Sequence, residues 1–129
     1  MQTVERIMSR DVLTTSPAER LQATAGRMVE RRVGAIVVLE DDRLAGILTE
    51  RDVLRAVGAG YDPDALVSRW MTPRPETVEP SATTDDALVL MYHGGFRHLP
   101  VVEDDRLVGI ISIRDVLRAG VDDASPRGV

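Results

Sequence analysis

Two phrases in this chain place reactive groups at a helix start, Gly46-Ile47-Leu48-Thr49-Glu50-Arg51-Asp52 and Gly109-Ile110-Ile111-Ser112-Ile113-Arg114-Asp115. In each, a hydroxyl residue stands where an apolar, strand-like run gives way to a helical pattern, and a carboxylate follows three residues later. That spacing suits an N-cap with an acid near the positive end of the helix dipole, and taken alone the pattern favours capping. A helix start also presents free N–H groups to a phosphate. A carboxylate one turn in can accept hydrogen bonds from a ribose diol, the role an acidic residue plays in other nucleotide folds. The two uses are compatible, because a helix start offers several donors.

The two phrases are one phrase repeated. Residues 40–56 and 103–119 are identical at thirteen of seventeen positions, at a constant offset of 63 without a gap. The same offset pairs Met8 with Met71, Thr14 with Thr77, Pro17 with Pro80, Met28 with Met91 and Val38 with Val101. Two copies exclude a long solenoid or propeller and point to a pair of supersecondary units related by a pseudo-two-fold axis.

Each copy reads β-α-β-β-α. In the first, residues 11–15 are a short extended stretch, and residues 19–32 carry Leu21, Ala25, Met28 and Val29 at helical spacing. The continuous run 35–39, AIVVL, suits a strand buried on both faces. A polar turn at Asp41-Asp42 leads into a strand over 43–48, and a helix is expected over 49–59. The second copy gives a strand at 76–78, a helix at 84–93, strands at 98–102 and 106–112 and a helix at 113–119. Gly94-Gly95 marks the end of the first of those helices. Residues 4–8 and 67–71 match each other as short turns leading into the copies. The expected division is a first unit at 1–59, a linker at 60–66, a second unit at 67–119 and a flexible tail at 120–129.

Composition narrows the function. A net charge of −5 and the lack of a basic patch argue against a nucleic-acid partner. All sixteen basic residues are arginines, a bias that genome composition or a hot habitat explains. No cysteine is present, which excludes disulfides, thiolate metal sites and cysteine nucleophiles. With no apolar run long enough for a bilayer and no signal sequence, a cytoplasmic, soluble protein without membrane association is expected. The two histidines make a poor metal site, and no P-loop, GxGxxG, GxSxG or HExxH motif supports an enzyme.

Two complete β-α-β-β-α copies, each carrying G-I-x-[TS]-x-x-D, with Arg97-His98-Leu99-Pro100-Val101 in the second, resemble tandem cystathionine-β-synthase (CBS) domains, a stand-alone Bateman module. The resemblance spans residues 4–119. It implies an α+β fold of two pseudo-symmetric units packed through their sheets. It also implies a regulatory module that binds AMP, ADP or ATP, or alternatively S-adenosylmethionine or a cyclic dinucleotide, in clefts between the copies. Such a module would act through a regulated protein, which the sequence does not name, or through its own assembly, with no catalysis and no required cofactor. Thr49 and Asp52 would serve one cleft, Ser112 and Asp115 the other. Gly34, Ala35 and Ile36, with Arg97, His98 and Leu99, are the strand-start positions that line the base or reach the phosphates. Thr14 and Thr77 are weaker candidates for contacting the base. A homodimer is implied as well, with apolar helix faces at Val53, Leu54 and Val57 and at Val116 and Leu117. A structural dimer with vestigial clefts is the competing reading.

The copies differ at one informative place. Arg97-His98 stands where the first copy has Gly34-Ala35. A guanidinium offers a fork of donors matched to phosphate oxygens, whereas glycine and alanine offer backbone alone. The Ser112–Asp115 site is therefore expected to be the tighter one. Without the resemblance, Arg97 reads as a surface arginine and His98 as a histidine bonded to backbone. Trp70 reads as a core anchor, Met28 and Met91 as core fillers, and Arg51 and Arg114 as surface charges.

Overall fold

The computed structural model describes residues 2–123. Its elements in chain order are α1 (Val4–Ile7), β1 (Thr14–Thr15), α2 (Leu21–Arg31), β2 (Ala35–Glu40), β3 (Arg43–Thr49), α3 (Glu50–Gly58), α4 (Val67–Trp70), β4 (Thr72–Pro73), α5 (Thr84–Gly94), β5 (His98–Glu103), β6 (Arg106–Ser112) and α6 (Ile113–Asp123). The fold class is α+β, as the resemblance implies.

The chain forms two compact units. One runs from Val12 to Pro75; the other joins the residues up to Asp11 to those from Glu76 onward. These bodies do not coincide with the repeat boundaries at 59 and 67. The short turns leading into the two copies are exchanged. The α1 turn docks beside the second copy, through Val4 N–H to Ala82 O (2.8 Å), Glu5 N–H to Pro80 O (3.0 Å) and a reciprocal Ser9–Ile110 pair. The α4 turn docks on the first copy, through Val67 N–H to Glu19 O (2.8 Å) and Ser68 N–H to Pro17 O (3.0 Å). Residues 60–66, expected to be a linker, belong to the Val12–Pro75 unit: Leu21 N–H donates to Ala65 O, and Tyr61 packs on that unit's core. The chain passes between units at 11–12 and 75–76 instead.

In the Val12–Pro75 unit the sheet order is β1-β2-β3-β4, with β1 parallel to β2 and the other pairs antiparallel. Among its described residues, the other unit keeps only the β5-β6 hairpin as a sheet. Its edge partners shrink to single bridges, Val78 on Val101 and Ser9 on Ile110. The strand expected at 76–78 is therefore one bridge. Both hairpins turn on two aspartates, Asp41-Asp42 and Asp104-Asp105, with φ between 52° and 64°. That left-handed pair fits a two-residue turn whose twist matches the strands, and aspartate tolerates it.

One core gathers Leu21, Met28, Ile36, Val38, Leu48, Ala56 and Val67. The other gathers Val4, Met8, Val78, Ala87, Met91, Leu99, Val101 and Ile111. Each fully buried aliphatic side chain contributes about 1.5–3 kcal/mol by leaving water, so these clusters hold the hairpins and their helices together. Met28 and Met91 are core, as their spacing predicts. Gly95 closes α5 with φ 72°, whereas α2 closes on Arg32 at φ 57°. The helix α6 continues through Asp123, past the expected end at Ala119, because Gly120 and Val121 extend the turn rather than break it; residues 124–129 of the expected tail lie outside the described residues. No helix among the described residues is long and apolar enough to cross a membrane.

Candidate functional site

The hydroxyl–carboxylate pairs sit where the pattern puts them, at the junctions β3–α3 and β6–α6. Thr49 caps α3, accepting from Asp52 N–H at 3.3 Å while Asp52 Oδ2 accepts from Thr49 N–H at 3.0 Å. Ser112 and Asp115 reproduce this, with 3.0 Å from Asp115 N–H to Ser112 Oγ and 2.9 Å from Ser112 N–H to Asp115 Oδ2. Both capping boxes are real, so the structural role of these residues is secured.

The hairpins bring the strand starts to the same spots. Ala35 lies opposite Thr49, and His98 opposite Ser112. Gly34 O accepts from Glu50 N–H at 3.0 Å, and Arg97 O accepts from Ile113 N–H at 2.9 Å. Arg97 is exposed, and its side chain enters no ion pair among the described residues. His98 is half-buried and already partnered. Ile36 and Leu99 are fully buried, so their side chains are taken up by core packing. Thr14 pairs with Val37 on β2, and Thr77 precedes the Val78 bridge; both are half-buried.

The two carboxylates live in different surroundings. Asp52 is only 2% exposed, and Arg55 Nη1 (2.8 Å) and the Thr72 hydroxyl (3.2 and 3.3 Å) also donate to it. Asp115 is half-buried, and its described acceptor bond is the cap from Ser112 N–H alone.

A second difference has no counterpart in motif reading. Glu19 Oε2 accepts from the Thr15 hydroxyl (2.7 Å), Arg27 Nη1 (3.1 Å) and the Thr24 hydroxyl (3.4 Å), and Arg27 Nη2 donates to Thr14 O at 2.8 Å. Thr24 is fully buried, so its bonds to Thr15 and Glu19 offset the cost of removing its hydroxyl from water. At the 63-residue offset the second copy has Val78, Ala82, Ala87 and Leu90, all part of or packed against an apolar cluster. The Thr14 carbonyl is thus held by Arg27, while the position equivalent to Arg27 in the second copy is an aliphatic Leu90.

Trp70 is half-buried against the core with Arg55 and Arg69 guanidinium carbons 6.0 and 5.7 Å from its ring centroid, so its face is covered by the protein's own cations. Arg51 and Arg114 are exposed.

Comparison with known proteins agrees with this architecture. The CBS domain family matches residues 4–59 and again 67–122, and the chain belongs to it. An uncharacterised protein of Methanopyrus kandleri is 38% identical over 120 residues, covering 90% of this chain, which spans 61% of that relative's length. A solved protein with CBS domains from Burkholderia ambifaria has a TM-score of 0.90 at 33% identity, covering 95% of this chain and 96% of its own. CBSX2, solved in complex with AMP, has a TM-score of 0.83 at 27% identity, covering 96% of this chain and 99% of its own.

Proposed function

We propose that this protein is a ligand-sensing regulatory module that binds AMP, ADP or ATP through Ser112 and Asp115, with Arg97 and His98 directed to phosphate, and without catalysis. The Thr49–Asp52 site is the weaker or empty one. The observation that carries this reading is the Asp115 carboxylate: it sits half-buried at a capped helix start, with the Ser112 N–H as its donor among the described residues, at the junction where Arg97 O accepts from Ile113 N–H. The AMP complex of the similar CBSX2 supports an adenosine ligand. S-adenosylmethionine and a cyclic dinucleotide are the competing ligands, and a purely structural dimer is the competing class.

A thermal shift separates these. A ligand at a hundredfold excess over its Kd stabilises by about 2.7 kcal/mol, whereas a structural dimer does not respond. Adenine nucleotides are expected to raise the melting temperature, and a flat response to all of them at millimolar concentration overturns the proposal. Replacing Arg97 with alanine removes a charge-assisted bond of about 1.5–3 kcal/mol, so AMP binding should weaken on the order of tenfold or more. Adenosine, which has no phosphate, should bind that variant as it binds the wild type.

The module acts in this proposal as a homodimer, through a regulated protein or its own assembly. Leu54 (71% exposed) and Val57 on α3, with Leu117 and Val121 on α6, leave apolar area in water. Val53 and Val116 are instead partly buried against the cores. Sedimentation at micromolar concentration should give a dimer, and Leu54→Glu with Leu117→Glu should give monomer.

A further inference from the structure

We infer that Thr72 determines which of the two sites takes a nucleotide, by closing Asp52 against a ribose with its own hydroxyl. The inference rests on the adenosine reading proposed above. Five donor approaches converge on the Asp52 carboxylate. Oδ1 receives Arg55 Nη1 and the Thr72 hydroxyl, and Oδ2 receives Thr49 N–H, the Thr49 hydroxyl at 3.2 Å and the same Thr72 hydroxyl. The single Thr72 proton is shared between the two oxygens, so four donor protons meet the roughly four lone-pair sites of the carboxylate and none is left for two hydroxyls of a sugar; without Thr72, Oδ1 opens and the Thr49 hydroxyl can rotate off Oδ2.

The Thr72 oxygen stands at 3.2 and 3.3 Å from the two carboxylate oxygens, almost midway across the edge where a vicinal diol would bind with one hydroxyl to each. Thr49 and Arg55 are local, three residues to either side of Asp52 on the β3–α3 junction and α3. Thr72 comes from twenty residues away, on the two-residue strand β4, and is exposed. It is brought there by pairing with Ile47, while Gly46 pairs with Pro73.

The second copy has the same carboxylate and lacks the closure. Ser9 occupies the equivalent place, bridged to Ile110, but its hydroxyl turns to the Asp11 carbonyl at 3.5 Å. Arg118 stands where Arg55 does and makes no described ion pair with Asp115. The motif carboxylate is thus present twice and open once, and one exposed hydroxyl accounts for much of the difference.

Removing that hydroxyl should uncover a second site. Calorimetry with AMP on the wild type should give one nucleotide per chain, and Thr72→Ala should give two. Combining Thr72→Ala with Asp115→Ala should restore one, now at Asp52. Thr72→Val, close in shape and lacking the hydroxyl, should behave as Thr72→Ala, guarding against loosening of the β4 edge. Thr72→Ser, which keeps a donor, should stay at one. If the wild type binds one AMP and both hydroxyl-free variants still bind one, Thr72 does not gate the site, while the nucleotide reading stands. A wild type that already binds two also overturns the gating. If neither the wild type nor any variant binds AMP, the nucleotide reading falls and this inference with it.

Discussion

Replacing Asp115 with alanine should lower AMP affinity on the order of a hundredfold, whereas Asp52→Ala should leave it within about twofold. The ribose diol can give a carboxylate two hydrogen bonds, each worth about 1.5–3 kcal/mol because the acceptor is charged, and every 1.4 kcal/mol is a factor of ten. Asp52 is already saturated by Thr49, Arg55 and Thr72, so its loss removes internal bonds rather than ligand bonds. Both substitutions also break a capping box, at a cost of about 1 kcal/mol to the fold. Asp86→Ala controls for this, since Thr83 and Asp86 form the same box at the start of α5. That variant should lose comparable stability and keep AMP affinity. Asp115→Asn tests charge at nearly constant shape and should fall close to Asp115→Ala. Calorimetry on the four variants decides the matter; a loss with Asp52→Ala and none with Asp115→Ala reverses the assignment of the two sites.

What could be read in the residues was largely local. The AIVVL run, the paired Asp-Asp turns and the Thr49–Asp52 and Ser112–Asp115 caps each depend on neighbours within a few positions, the 63-residue offset adds the one long-range signal, and all appear in the fold. The exchange of the leading turns was not legible for a physical reason. Residues 4–8 and 67–71 carry nearly the same apolar pattern, so the pattern alone does not say which core each turn fills. The Thr72–Asp52 contact spans twenty residues with no periodicity to announce it. The Glu19–Arg27 cluster did leave a trace. Thr15, Glu19, Thr24 and Arg27 are polar where the offset gives Val78, Ala82, Ala87 and Leu90, a block of coordinated departures from the repeat that marks a polar network replaced by packing.

The glycine of the repeated phrase is a case where the motif was visible and its cause was not. Gly109 should resist any side chain, and Gly109→Val should destabilise by about 3 kcal/mol, lowering the melting temperature by roughly 10 °C. A Cβ there would lie 2.6 Å from Met8 Sδ and 2.9 Å from Ser9 O, the latter a backbone atom held in a reciprocal pair with Ile110. Gly46 faces the equivalent conflict with Met71 Sδ and Thr72 O, both at 2.8 Å. These glycines are therefore required by the crossing of the leading segments over the second hairpin strands, and not by an unusual φ. The thioether can move aside; the carbonyl cannot without breaking the bridge that seats α1 on its unit. Gly120 provides the contrast. It lies inside α6 with nothing within 4 Å of its Cβ position, so Gly120→Ala should stabilise by about 0.5–1 kcal/mol through helix propensity alone. Thermal melting of the two variants beside the wild type tests both signs. An unchanged melting temperature for Gly109→Val would mean that the Met8–Ser9 segment does not dock on β6 in solution, and the exchanged arrangement would have to be abandoned.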